Sequence, residues 1–72
     1  MRAYNVFRRK DARCLCCAVP EDRAVPRFLT SQGWAFGGVL AEPAALPIGF
    51  DEAAADASVR FNGFYIFHAF GR

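Results

Sequence analysis

Ala3-Tyr4-Asn5-Val6-Phe7-Arg8-Arg9 and Arg13-Cys14-Leu15-Cys16-Cys17-Ala18-Val19, joined through Lys10-Asp11-Ala12, set the architecture of this chain. The first run alternates loosely. Tyr4 and Val6 face one way, and Phe7 breaks the polarity of the other side, which suits a strand covered in part on both faces. The second run is apolar and rich in Cys. Arg9-Lys10-Asp11-Ala12 reads as a polar turn, and strands this close in sequence pair as an antiparallel hairpin.

Outward from the hairpin, Pro20-Glu21-Asp22 ends the second strand, because proline cannot donate to a ladder and favours turns. Residues 25–32 predict a helix of about two turns, with Pro26 in its first turn, Gly33 just past its end, and Val25, Phe28 and Leu29 facing inward. Residues 34–40 predict a strand with Trp34, Phe36 and Gly38 on one face, and with a bulge or a close backbone approach at Gly37-Gly38. Residues 41–50, with Pro43, Pro47 and Gly49, form a connection. Asp51 is a suitable N-cap for a helix over 51–61, in which Ala54, Ala57 and Phe61 share a face and Gly63 closes the end at positive φ. The alternative for Asn62-Gly63 is a type I′ hairpin turn. The nearly unbroken apolar run 64–70 suits a central strand covered on both faces, or else a strand at the subunit interface. The expectation is a single α+β domain over residues 1–72 in the order β-β-α-β-α-β. It has two layers: a four-stranded, mostly antiparallel sheet with both helices on one face.

Composition bears on association. The chain has 72 residues, of which 54% are hydrophobic and 15% aromatic, with eight Phe, two Tyr and one Trp. A domain of this size buries only about 60% of its unfolded surface, so some of these rings are expected at the surface, where apolar patches mark partners or a second copy. Trp34, Phe36, Phe61, Phe64, Tyr65, Phe67 and Phe70 are the candidate interface residues. The expected role is a small non-catalytic association module acting as a homodimer, or binding another protein. Exchange of the C-terminal unit through the 41–50 loop offers a domain-swapped form. One Lys against eight Arg, with 13 Ala, fits a GC-rich bacterial coding bias. No targeting segment or apolar run long enough to span a membrane is visible, so a soluble cytoplasmic protein is expected.

Two other functions compete with association. Residues 1–36 carry seven basic and three acidic side chains, whereas residues 37–72 carry two and four. Arg8, Arg9, Lys10 and Arg13 could therefore grip nucleic-acid phosphates from a hairpin arm, although the net charge of +2 is modest for a binder that works through charge. Cys14 and Cys16 share a strand face, and with His68 they would give three ligands to a metal or a redox site. Cys17 points the other way, and paired C-x2-C spacing is lacking. Small buried apolar thiols are the simpler reading. Catalytic sets are thin: the serines Ser31 and Ser58 sit in no G-x-S-x-G elbow, Gly33, Gly37 and Gly38 are not spaced to cradle a phosphate, and His68 is the single histidine. No enzyme activity and no cofactor are expected.

Overall fold

In the computed structural model, residues 2–42 and 46–69 are described, with the side chain of Arg13 excepted. The hairpin forms as its alternation requires. Strand β1 (Tyr4–Arg9) lies antiparallel to β2 (Ala12–Pro20), with Tyr4 opposite Pro20 and Phe7 opposite Cys17. Strand β3 (Trp34–Leu40) adds to the free side of β1, and β4 (Tyr65–His68) to the free side of β2. The sheet order is β3-β1-β2-β4, with every pair antiparallel. This is an α+β fold built on an open sheet, with one α-helix, α1 (Glu52–Asn62), between β3 and β4.

Both ends of α1 are fixed by local chemistry. The Asp51 carboxylate accepts the Ala54 N–H at 3.1 Å, which satisfies an otherwise orphaned donor of the first turn. Gly63, at φ 85°, donates its N–H to the Val59 carbonyl at 2.9 Å. Ala55 and Val59, four residues apart, are the buried positions of the helix.

Strand alternation divides the interior in two. Tyr4, Val6, Cys16, Ala18 and Phe67 face α1 and pack with Ala55 and Val59. Cys17, Val19, Leu29 and Trp34 form a second cluster on the opposite face, joined by Phe7, Leu15 and Phe64. The end of the 41–50 connection closes the first cluster. Phe50 meets Tyr4, Tyr65 and Phe67 edge-on, with ring centroids 5.4, 5.2 and 5.0 Å away, and the Asp51 N–H donates to the Tyr65 hydroxyl at 3.3 Å. Pro43 of that connection lies outside the described residues.

The architecture departs from expectation at four points. First, the segment 25–32 forms only a four-residue 3-10 turn, Arg27–Thr30. The Thr30 and Ser31 hydroxyls donate to the Arg27 and Phe28 carbonyls at 2.7 and 2.8 Å. Such bonds compete with helix propagation, and so short a segment cannot recover the cost of helix nucleation. Second, this turn and α1 lie on opposite faces of the sheet: Leu29 belongs to one cluster, and Ala55 and Val59 to the other. Third, β4 is an edge strand, not a central one. Its apolar character is accounted for by packing of Tyr65 and Phe67 under Phe50, while Ile66 stays 46% exposed. Fourth, the buried stripe of α1 is Ala55 and Val59; Ala54, Ala57 and Phe61 face outward. The bulge expected at Gly37-Gly38 is present, between Val6 and Phe7 of the partner strand, and it turns Gly38 to the α1 side, opposite Val6.

Replacing Gly63 by Ala forces a left-handed backbone on an L-residue, although a Cβ there meets nothing within 4 Å. The expected cost is about 1–2 kcal/mol, with Gly63→Asn less harmful. Asp51→Ala is expected to cost about 1 kcal/mol through the lost cap. Urea denaturation of the three variants checks both values.

Candidate association surface

Strand β3 is the longer of the two sheet edges. Trp34-Ala35-Phe36-Gly37-Gly38-Val39-Leu40 carries no charge and no proline. Edge strands with neither present unpaired backbone groups that template pairing with another chain. The protection present is the bulge at Gly37-Gly38, where Gly38 takes φ 129°. On the face opposite α1, Phe36 is 60% exposed and Val39 50% exposed. Phe36 lies across from Phe7, with ring centroids 5.6 Å apart and the planes at 72°. The 3-10 turn roofs the neighbouring part of this face. There Phe28 contacts Trp34 and Phe64 edge-on, at 5.9 and 5.1 Å. Cover therefore stops short of Phe36 and Val39.

The seven aromatic residues singled out in the sequence separate. Trp34 and Phe67 are buried within the chain, one in each cluster. Tyr65 stacks on Phe67 at 5.3 Å, and Phe64 packs under Phe28. Phe36 and Phe61 are exposed, but Phe36 lies on β3 and Phe61, at 81% exposure, on the outer side of α1. Phe70 lies outside the described residues. Two contributors that the sequence reading passed over, Val39 and Phe7, join Phe36. The available signal was the pairing of the second face of β1 with β3, which needs the strand order.

The basic turn is divided by the same alternation. Arg8 points to the α1 side and reaches the Cys16 Sγ at 4.0 Å. Arg9 points to the other face, where its guanidinium lies 5.6 Å from the Trp34 ring centroid and its Nε donates to the Asp11 carboxylate at 2.9 Å. That hydrogen bond, together with the charge of Arg9, lowers the Asp11 pKa. Lys10 is exposed at the tip, and Arg8, Arg9 and Lys10 border a shallow hollow with Ala35. The Arg13 side chain lies outside the described residues.

The thiols follow the same geometry. Cys14 is exposed, while Cys16 and Cys17 are buried on opposite faces. His68 lies across from Leu15, which places it on the face away from Cys14 and Cys16. Among the described residues, no three His, Cys, Asp or Glu side chains are grouped to hold a metal ion. Burial pushes the Cys17 thiol up to about 12, and it raises that of Cys16 against the opposing pull of Arg8. Among the described residues, no helix is long and apolar enough to cross a membrane. No protein-family model, curated protein or solved structure matches the chain significantly.

A maleimide at neutral pH is expected to modify Cys14 rapidly, and Cys16 and Cys17 only after unfolding, as read by intact mass. Because both buried thiols titrate higher in the folded state, the unfolded chain releases its thiol protons first as pH rises. Folding stability is therefore expected to be fully present below the ordinary thiol value of 9 and to fall between there and about 12. Urea titrations at stepped alkaline pH, compared with Cys17→Ala, check the sign.

Proposed function

We propose that this chain is a non-catalytic association module whose working form is a homodimer joined along β3. The observation that carries the reading is an uncharged, proline-free edge strand with Phe36 and Val39 half-exposed or more on the face that α1 does not cover. The occupant is a second copy for two reasons. An antiparallel pairing of β3 with its own symmetry mate satisfies the free backbone groups of both copies at once. The surface beside it, Phe7, Phe36 and Val39, carries no charge, and the Arg9 guanidinium at the start of β3 is already paired with Asp11. Burial of two Phe36 rings and two Val39 side chains then adds the apolar contact that an isolated protomer leaves to water. The basic hairpin supports nucleic-acid binding less well, since Arg9 is committed to Asp11 and Trp34.

Light scattering after gel filtration is expected to give a dimer at tens of micromolar. Phe36→Lys is expected to give a folded monomer, because Phe36 is mostly exposed within one chain. A wild-type monomer would sink the reading. A dimer that survives Phe36→Lys would also remove β3 as the contact, and would point to exchange of α1 and β4 through the 41–50 connection.

A further inference from the structure

At the end of the sheet away from the hairpin tip, three arginines from three separate segments meet over one hollow. Arg2 precedes β1, Arg23 follows β2, and Arg60 belongs to the last turn of α1. With Asp56 and Val59 they line a cleft of about 350 Å3. Backbone bonds hold two of the segments together, and the packing of α1 places the third. The Glu21 N–H donates to the Ala3 carbonyl at 3.0 Å, which ties the turn carrying Arg23 to the segment carrying Arg2. The Arg23 N–H donates to the Pro20 carbonyl at 3.0 Å, closing that turn. Val59 is 1% exposed and seats the helix, so that Arg60, the next residue, reaches the rim.

The charges at this site are poorly compensated. None of the three guanidinium groups lies within 4 Å of a carboxylate oxygen among the described residues. This holds although Asp56 is four residues before Arg60 on the same helix, the spacing at which such pairs ordinarily form. Glu21 and Asp22 belong to the neighbouring turn, but Asp56 is the sole acidic group in the lining. Guanidinium is planar, always charged, and matches the oxygens of phosphate with paired hydrogen bonds. The cleft has the volume of about a dozen water molecules, ample for a small anion with several oxygens.

We infer that the Arg2, Arg23 and Arg60 cleft binds a phosphoryl group bearing more than one negative charge. The same chemistry is offered by free pyrophosphate and by the diphosphate of a nucleotide. The site is separate from the β3 edge, so its fate does not depend on dimer formation.

Calorimetric titration with inorganic pyrophosphate, and separately with ADP, tests the site. Pyrophosphate is expected to bind, with affinity falling about tenfold in Arg23→Gln and again in Arg60→Gln, the weight of one charge-assisted bond. Asp56→Asn is expected to bind more tightly, because it removes the repelling carboxylate, and Arg27→Gln, an exposed arginine outside the cleft, is expected to bind as wild type. ADP binding more tightly than pyrophosphate assigns a nucleotide; equal affinity assigns the phosphoryl group alone. Circular dichroism and a melting curve on each variant confirm the fold. No binding of either probe, or binding that Arg23→Gln, Arg60→Gln and Arg27→Gln all leave unchanged, overturns the proposal.

Discussion

Strand β2 is apolar on both sides, and the rest of the molecule answers that constraint. From Cys16 to Pro20 every residue is buried, yet alternate side chains leave the strand in opposite directions. A sheet built around such a strand needs cover on two faces. Among the described residues the chain supplies one full α-helix, seated by Ala55 and Val59, and on the other side a single 3-10 turn that lays Leu29 and Phe28 over Cys17, Val19 and Trp34. The inequality between these two covers explains why one face is closed over β2 and β4 by α1 and Phe50, with a cleft left open beside Val6, Arg8 and Leu40, while the other ends in exposed Phe36 and Val39.

The aromatic excess acquires a structural distribution from this. Most of the rings are used inside the chain, in two groups of edge-on contacts: Tyr4, Phe50, Tyr65 and Phe67 on the α1 side, and Phe28, Trp34 and Phe64 on the other. Edge-to-face geometry lets large rings fill a thin domain without long aliphatic side chains. The surface surplus is much smaller than composition suggests, and it is concentrated on β3 and at Phe61. The proposed association rests on one edge, where the exposed Phe36 ring lies on the outermost strand of the sheet.

Charge is sorted by the same alternation. Arg8 and Arg9 are adjacent in sequence, yet one approaches Cys16 and the other lies over Trp34. A basic run in a strand is therefore split across two faces, whereas Arg2, Arg23 and Arg60, scattered through the chain, converge. The cysteines show the converse. Their clustering in sequence invites a metal reading, but strand geometry separates Cys16 from Cys17 and puts His68 across the sheet from Cys14 and Cys16, and burial holds the two inner thiols protonated.

Sequence alone determined whatever depends on neighbours a few residues away. The β1–β2 hairpin, the Asp51 cap, the Gly63 stop and the bulge at Gly37-Gly38 are all local matters of alternation, hydrogen-bond capping and backbone freedom, and each was legible. Tertiary structure decided what depends on cover from distant segments. The run 64–70 looked central because its residues are apolar, but its place at an edge follows from β1 being flanked by β2 and β3. The inward stripe of α1 is not legible in the sequence, because an Ala-rich helix of low amphipathic contrast offers several equivalent stripes, and docking against Tyr4, Ala18 and Phe67 selects Ala55 and Val59. The helix expected over 25–32 failed for a local reason, hydroxyl-to-carbonyl bonds at Thr30 and Ser31, yet the face it occupies was settled by Cys17 and Val19, which lack other cover. Short-range energetics are written in consecutive residues. The choice of face and of edge is a competition among long-range contacts, and no single stretch of sequence contains it.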